Sequence, residues 1–354
     1  MVNEIPGLIK NNFPQRRIAM KTFLKIIGGL FLVIVIALAG FIIIKTNEVD
    51  KGKALAEQEY KNTRVKALEN FGSVKNLSII PVIDYFAAEP GLKTESGVSY
   101  LIKADNTTIL LDVGFNQDGA NPSPLLQNME KLGLKLNDID LLFISHLHPD
   151  HVGGLSESRK QTFSLTQGKL DLSKITAYAP EEMKQSAMTP VGKIIKNSDP
   201  FILKPGIGSI GAIPRHLFIM GKGYEQALAV NVEGKGIVLI IGCGHQGIEK
   251  ILERTRALFQ EPIYAIIGGL HYPVHGGRSK IGPVDFQYIV GTDAPPWRGL
   301  NESDVFAAIE RIKESKAEIV ALSPHDSSDW ALGKFKEQLG KRSVDLKVGR
   351  EIKI

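Results

Sequence analysis

The chain has 354 residues, of which 43% are hydrophobic and 23% are charged; this composition excludes extensive disorder and collagen-like repeats. Its single cysteine excludes a disulfide framework and a zinc module built from several cysteines. The net charge of +5 is concentrated at one end, because residues 1–25 carry five Lys or Arg and one Glu. The remaining chain is nearly neutral, so we expect no nucleic-acid partner.

A long apolar run follows a basic tail at residues 1–22. Residues 26–44 contain no charged side chain, and a helix of that length, rising ~1.5 Å per residue, nearly matches the ~30 Å hydrocarbon core of a bilayer. We predict a transmembrane helix at residues 23–45 that acts as a signal anchor, with the lipid bilayer as its partner. A cleavable signal peptide is the alternative, because Ala37-Leu38-Ala39 has the small-x-small pattern of a cleavage site. The apolar residues that continue to Ile44 favour retention.

The charges on the two sides of the apolar run predict its orientation. Four Lys or Arg lie within about 15 residues before the run and three lie after it, a small bias under the positive-inside rule. The short basic tail points the same way. We therefore expect a single-pass membrane protein whose large domain lies outside the cytoplasm.

Residues 46–70 are rich in Lys, Glu and Ala. Glu57 and Lys61 have the i,i+4 spacing and order that stabilise a helix. We predict a helical stalk that serves as a spacer before a single domain at residues 71–354.

That domain alternates strand-like and helix-like segments, which predicts an α/β architecture. A turn at Asp105-Asn106 joins two of the strands as a hairpin. Strands are predicted at residues 77–85, 99–104, 108–113, 139–145, 236–241, 262–267, 318–322 and 346–354, and helices at 124–132, 247–259 and 304–313.

Histidines cluster directly after the buried strand at residues 139–145. No histidine precedes His146, and then His146, His148 and His151 occur within six positions, with Asp150 among them. The ends of strands are where α/β folds place their sites. Imidazole and carboxylate ligands suit zinc, iron or manganese, so we predict a metal site there.

This pattern resembles the signature H-x-H-x-D-H of the metallo-β-lactamase-fold superfamily. Asp112, in Leu110-Leu111-Asp112-Val113-Gly114, resembles an upstream motif whose carboxylate orients ligands, and His245 and His325 match later motifs. The resemblance implies a four-layer αββα sandwich and a metal-dependent hydrolase with two divalent ions, zinc first and iron or manganese as alternatives. It implies two ligand sets, listed here: His146, His148 and His245 for one ion, and Asp150, His151 and His325 for the other.

A narrower resemblance is to the dihydropterin-synthase-like branch of that superfamily. It rests on Glu95–Ser99, on Gly211–Arg215, on Gly242-Cys243-Gly244-His245 and on Gly268-Gly269-Leu270-His271. The branch often has His at the position of Ser96 and Thr-His-Cys where Pro324-His325-Asp326 stands. These departures put the pterin chemistry of that branch in doubt, but neither the fold nor the metal site.

Four side chains near the predicted site have open roles. His271 stands where many superfamily members have a metal-bridging Asp. It either replaces that Asp as a metal ligand, or faces the substrate, or is a buried structural residue. Cys243 is a ligand, a redox thiol or a small buried residue in a tight turn, and we favour the last. Asp326 and Asp329 are expected to be exposed turn residues that do not supply a carboxylate.

Residues 272–300 form a Gly- and Pro-rich segment without periodicity. Such a long loop in a compact domain is usually functional or disordered. Because it leaves from His271, we predict a flap over the site. Its candidate substrate contacts are Tyr272, His275, Arg278 and Trp297.

The expected reaction is hydrolysis of a small ester, lactone or phosphoester, with a water held between two ions as the nucleophile. Asp150 is expected to act as a ligand and as a proton acceptor, and Asp112 to orient the ligands. Two other hypotheses stay open: a pterin-type transferase or synthase, and a metal-binding domain without catalytic activity.

Overall fold

The computed structural model describes residues 13–354 except Pro283, so residues 1–12 of the predicted basic tail lie outside the described residues. Helix α1 runs over Phe13–Asn62 without interruption. Its apolar part is long enough to cross a bilayer, with a mean hydropathy of 3.0 over 18 residues and none of that stretch buried. The chain divides into two compact units between Asp50 and Lys51.

The last turns of α1, from Lys51 to Asn62, belong to the second unit and contact its other residues. Glu57 forms an ion pair with Lys250 at 2.8 Å, and Glu59 pairs with Lys222 at 2.5 Å and accepts a hydrogen bond from the Tyr224 hydroxyl at 2.7 Å. The helix ends at Asn62, earlier than the predicted stalk. Ion pairs and a hydrogen bond thus join residues 51–62 to the rest of the second unit, and their role as a spacer stays a prediction.

Two mixed sheets form the centre of the second unit. In the described part of the chain, the first sheet has the strand order β17-β1-β2-β3-β4-β5-β6. Its strands are β1 (Leu77–Ile83), β2 (Ser99–Ala104), β3 (Thr107–Leu111), β4 (Leu141–Phe143), β5 (Leu172–Ala179), β6 (Val191–Lys196) and β17 (Ile352–Lys353). Strands β3, β4 and β5 are parallel, so their carboxyl ends share one edge.

The second sheet, again in the described residues, has the order β16-β13-β12-β11-β8-β7. Its strands are β7 (Phe201–Lys204), β8 (Ile207–Ser209), β11 (Leu228–Val232), β12 (Gly236–Ile241), β13 (Ile263–Gly268) and β16 (Ile319–Leu322). Strands β12, β13 and β16 are parallel. Two short hairpins lie beside the sheets: β9 (Ile213–Leu217) with β10 (Gly221–Glu225), and β14 (Lys280–Ile281) with β15 (Val284–Asp285).

Helices pack on the outer face of each sheet, and further short helices lie in the connecting segments. They are α2 (Pro124–Lys131), α3 (Pro149–Val152), α4 (Leu155–Lys160), α5 (Ile248–Leu258), α6 (Phe286–Val290), α7 (Glu302–Ser315) and α8 (Asp329–Leu339). Several begin at residues that satisfy the free N–H groups of a first turn: Ser123 caps α2, Ser328 caps α8, and Asn301 forms a capping box with Asp304 in α7.

Strand β12 shows how the sequence specifies the layers. All six of its residues are buried, and successive side chains point to opposite faces. Leu239 and its alternate neighbours pack in a core with α5, α7 and α8, whereas Val238 and Ile240 pack in a second core between the sheets. A third core joins the first sheet to α2. The four-layer αββα sandwich implied by the resemblance is confirmed.

The closing strand was predicted at residues 346–354 and is observed only at Ile352–Lys353. The other predicted strands and helices of the domain lie within a few residues of observed ones, and their types are right. The β2–β3 hairpin turns at Asp105, whose φ is +48°. No strand was predicted from β5 to β11. Strands β6, β7 and β10 are short and largely exposed or Gly-containing, whereas β11 was missed although all its residues are buried. The predicted flap contains the β14–β15 hairpin and α6.

Candidate metal centre

Histidines from both sheets converge at the carboxyl ends of parallel strands. His146 and His148 follow β4, His245 follows β12, and His325 follows β16. His148 is also the N-terminal cap of the short helix α3, which holds Asp150 and His151. Gly153 ends that helix with φ +88°, a conformation that glycine adopts without a steric penalty.

The first candidate ligand group consists of His146, His148 and His245. One nitrogen of each ring lies within 4.8 Å of the others. The Nε2 atom of His146 and both ring nitrogens of His245 are buried without a hydrogen-bond partner. Buried polar atoms normally have partners, so these nitrogens fit a ligand that the rings share.

The second candidate group is Asp150, His151, Cys243 and His325, whose ligand atoms also lie within 4.8 Å of one another. The Cys243 Sγ atom is 3.0 Å from His151 Nε2 and 3.1 Å from His325 Nε2. An Asp150 oxygen lies 3.6 Å from His151 Nε2. Nitrogen, oxygen and sulfur donors in one cluster match the donor set of zinc.

Asp112 holds one histidine of each ligand group in place, His151 directly and His146 through Ser145. A carboxylate of the upstream motif is expected to orient ligands in this way. The Asp112 Oδ2 atom lies 2.6 Å from His151 Nδ1 and accepts a hydrogen bond of 2.6 Å from the Ser145 hydroxyl. The Ser145 oxygen is 2.9 Å from His146 Nδ1. With the Nδ1 protons held by these oxygens, the Nε2 lone pairs of His146 and His151 face the cluster.

A second buried carboxylate, Asp84, was not found by sequence analysis. It accepts hydrogen bonds from the Tyr100 hydroxyl at 2.9 Å and from the Ser323 hydroxyl at 2.7 Å. The Ser323 oxygen is 2.6 Å from His325 Nδ1. Burial raises the pKa of Asp84 to about 7. The only feature of the sequence that could have indicated a role for Asp84 is its position near the end of the strand predicted at residues 77–85.

Glu225 and Arg215, also missed, form a buried pair behind the first group. Glu225 accepts hydrogen bonds from the backbone N–H groups of Cys243, Gly244 and His245 at 2.7–3.0 Å and so fixes the turn after β12. The Arg215 side chain lies 4.0 Å from Glu225 and donates to His148 Nε2 at 3.0 Å.

The electrostatics differ between the two groups, because burial keeps the imidazoles of the first group neutral whereas carboxylates surround His151 in the second. Burial lowers the pKa of His146, His148 and His245 well below the ordinary value, which leaves them in the form that binds metals. Burial also opposes a charge on His151, but Asp150 and Asp112 outweigh it and raise the pKa of His151 to about 9. The two carboxylates therefore stabilise a positive charge at this position.

His271 lies at the edge of both groups. One of its ring nitrogens is within 4.8 Å of ligand atoms of Cys243 and His245. Its Nε2 donates to the Gln287 carbonyl at 3.2 Å, and its Nδ1 is buried without a partner. Burial lowers the pKa of His271 to about 4.

The expectation that Asp326 is exposed is wrong. Its side chain is fully buried and accepts the backbone N–H of His271 at 2.9 Å, because the turn after β16 folds back under the end of β13. Asp329 is exposed and pairs with Arg278 at 2.7 Å, away from the clustered histidines.

The predicted flap contacts the cluster through Gln287 in α6. The side-chain amide of Gln287 donates a hydrogen bond to the His325 backbone carbonyl at 2.6 Å, and the Gln287 backbone carbonyl accepts one from His271 Nε2. Nothing in the sequence distinguishes Gln287 from other polar residues of the segment.

The four flap side chains predicted to contact substrate have other neighbours. Tyr272 packs on Phe335, and His275 pairs with Glu302 at 2.8 Å. Arg278 stacks on Tyr85 and donates to the Pro324 carbonyl, besides its pair with Asp329. Trp297 is 41% exposed and lies edge-on to Phe218.

A cavity of about 290 Å³ adjoins the first ligand group. Its walls come from His245 and Gln246, from Arg215 and His216 in β9, and from the end of α1. Lys53 in α1 also pairs with Asp293 of the flap at 2.7 Å. The volume is at the lower end for sites that hold small molecules.

Comparisons with known proteins agree with this arrangement. The family model described as Metallo-beta-lactamase superfamily matches residues 92–164, which include Asp112 and the cluster from His146 to His151. A curated relative from Methanocaldococcus jannaschii, 7,8-dihydropterin-6-methyl-4-(beta-D-ribofuranosyl)-aminobenzene-5'-phosphate synthase, is 25% identical over 238 residues, which are 58% of this chain and 80% of the relative. The solved structure of Tm1679, described as a metal-dependent hydrolase of the beta-lactamase superfamily, has a TM-score of 0.50 at 18% identity, covering 78% of this chain and 99% of that one.

Proposed function

We propose that this chain, in which a metallo-β-lactamase superfamily domain follows an apolar helix, is a membrane-anchored hydrolase that uses two divalent cations, zinc first, to cleave a small ester, lactone or phosphoester. The observation that carries the proposal is the convergence of two ligand groups, each with its donor atoms within 4.8 Å. Buried imidazole nitrogens without partners in the first group support a shared cation there.

We assign the first cation to His146, His148 and His245, with His271 beside them, and the second to Asp150, His151 and His325. Divalent cations in such a site lower the pKa of water and polarise the bond to be cleaved. The chain's own contribution is to fix these ligands. Asp112 holds His151 and, through Ser145, also holds His146.

Asp150 has a second role in this proposal, as the acceptor of the proton from the attacking water. Burial raises the pKa of Asp150 above the ordinary value for an aspartate, which makes the carboxylate a better base near neutral pH. Its side chain is 22% exposed, whereas the His151 side chain is fully buried. The Asp150 carboxylate is therefore the more accessible of the two side chains to water.

The cavity supports a small substrate. Trp297, whose side chain is 41% exposed, is the flap side chain that we retain as a substrate contact. Tyr272, His275 and Arg278 are assigned to holding the flap on the domain through their contacts with Phe335, Glu302 and Asp329. Deleting residues 276–296 should change substrate selectivity and leave the metal content intact. Loss of metal on deletion would contradict a flap that only covers the site.

The anchor and its orientation form a separate part of the proposal. Its support is the apolar helix and the charge bias on its two sides. Protease added to the outside of intact cells that express the full chain should digest the domain. Protection of the domain until the cells are lysed would place it in the cytoplasm.

The hydrolase proposal is tested with the full chain purified in detergent. The end of α1 lines the cavity, so a chain that begins at residue 71 is not an equivalent sample. We expect a screen of esters, lactones, phosphoesters and β-lactams to give a hydrolysis that a chelator abolishes and added zinc restores. Hydrolysis that survives complete removal of metal would refute the proposal.

The second candidate is a pterin-type synthase, which the similarity to the Methanocaldococcus jannaschii relative favours. Bound metal without hydrolysis of any compound in the screen, and a pterin-dependent reaction of the same protein, would support it. Binding of metal without either reaction would support a non-catalytic metal-binding domain.

A further inference from the structure

Cys243 occupies a position that packing alone does not explain. It follows β12 in a turn that Glu225 fixes through three backbone N–H groups. The side chain is buried, yet its sulfur lies between two imidazole nitrogens, at 3.0 Å from His151 and 3.1 Å from His325. A small apolar core residue would instead be surrounded by carbon atoms.

Without this sulfur each ligand group has three donors, and with it the second group has four. Asp150, His151 and His325 provide three donors, and Cys243 supplies a fourth within 4.8 Å of the others. Four protein ligands close a tetrahedral zinc site. The first group has three clustered donors, His146, His148 and His245, while His271 lies beside it in a cluster with Cys243 and His245. A cation held by the three clustered histidines keeps a position for water or substrate, as in catalytic zinc sites.

We propose that Cys243 is a thiolate ligand of the second cation, which makes that site closed and leaves the first site as the open one. This inference rests on the metal sites of the proposed function. On ligation the thiol proton passes to solvent, and the sulfur donates an electron pair to the cation; no electron is transferred. The turn held by Glu225 thus supplies one ligand to each cation, Cys243 to the second and His245 to the first.

Cobalt(II) provides a direct test, because a thiolate bound to cobalt gives a charge-transfer absorption band in the near ultraviolet. Cys243 is the single cysteine of the chain, so such a band has no other source. The full chain in detergent, stripped of metal and titrated with cobalt, should bind two equivalents and develop the band. The thiol should stop reacting with a disulfide reagent when the metal is bound.

Variants extend the test. Cys243→Ser should lose the band and bind the second cobalt more weakly by more than about 100-fold, beyond the 10–100-fold typical of groups that only orient a ligand. Cys243→Asp should keep two equivalents without the band. His275→Ala, which changes an exposed histidine paired with Glu302, is the matched control and should keep both the cobalt and the band.

The outcomes separate this inference from the proposed function. Two bound cobalt ions without the band, and with a reactive thiol, would overturn the role of Cys243 and leave the metal sites standing. No cobalt binding would overturn both. The band in a protein without hydrolase activity would support the ligand and leave only the reaction wrong. The measurement on the unmodified chain decides the matter even if a variant fails to fold.

Discussion

Two buried aspartates orient the clustered histidines, and they differ in how they reach them. Asp112 and Ser145 follow neighbouring parallel strands of the first sheet, and Asp112 touches His151 directly. Asp84 follows a strand of the first sheet, whereas Ser323 follows a strand of the second, 239 residues away in sequence. Asp84 reaches the His325 imidazole through that serine.

The difference teaches what each contact does. The contact of Asp112 lies within one sheet and fixes a ligand directly. The Asp84–Ser323 hydrogen bond ties the edges of the two sheets together where the ligand groups meet. Asp84 therefore couples sheet packing to ligand position, and its loss should be felt more in stability than in ligand geometry.

The largest expected effect comes from removing a ligand of each group. His148→Ala and Asp150→Ala should each abolish activity and lower the bound metal, while the circular dichroism of the folded domain persists, because the ligands lie at strand ends outside the apolar cores. Metal analysis and activity on the substrate found by the screen are the measurements. Full activity in either variant would break the assignment of both groups.

Asp112→Asn should have the next largest effect. The amide cannot accept the His151 proton with the strength of a carboxylate, so metal affinity and kcat/KM should fall by about 10–100-fold. Metal titration and kinetics measure the two losses. The control is Asp171→Asn, at an exposed aspartate that accepts a hydrogen bond from the Ser173 backbone N–H, and it should change neither metal affinity nor kcat/KM. Equal losses in the two variants would mean that Asp112 has no special role.

Asp84→Asn should have a smaller effect on metal affinity and a distinct effect on the pH dependence of stability. The pKa of Asp84 is raised to about 7, from about 4 in an unfolded chain. The native state therefore binds this proton more tightly. The resulting stabilisation is fully present below about pH 4 and is lost as the pH rises through about 7.

Asparagine stays neutral, so the stability of the Asp84→Asn variant relative to the unmodified chain should rise between about pH 4 and pH 8. Denaturant unfolding of the metal-stripped full chain measures this difference. A difference that does not change with pH would show that Asp84 is ionised in the native state throughout.

The smallest effects are expected for the two serines. Ser145→Ala and Ser323→Ala should each cost about 1 kcal/mol of stability, the loss of a hydrogen bond. Ser323→Ala should weaken metal binding more, because Asp112 keeps its direct contact with His151 whereas Asp84 loses its link to His325. The reverse order in metal titrations would break the comparison between the two aspartates.

The contrast between local contacts and contacts across the two sheets also explains which features could be predicted from the sequence. The continuous apolar run of β12 predicted that strand, and the close spacing of the histidines after β4 predicted the metal site, because both patterns are local. Asp84, Ser323, Glu225, Arg215 and Gln287 were missed because their partners depend on how the two sheets and the flap pack. The short strands β6, β7 and β10 were missed because they have no continuous apolar run.

For Cys243 the sequence predicted the burial of the side chain but not its neighbours. Its residue type in a Gly-rich turn favoured a small buried side chain, and it is buried. Its two histidine neighbours come from α3 and from the end of β16, 92 and 82 residues away in sequence. No local pattern contains that information.

The metal content of the full chain tests the central claim most directly. The chain purified in detergent and dialysed against metal-free buffer, then loaded with zinc, should retain two zinc ions per chain by elemental mass spectrometry, and fewer in His148→Ala. A folded chain that retains no zinc, manganese or iron would contradict the account.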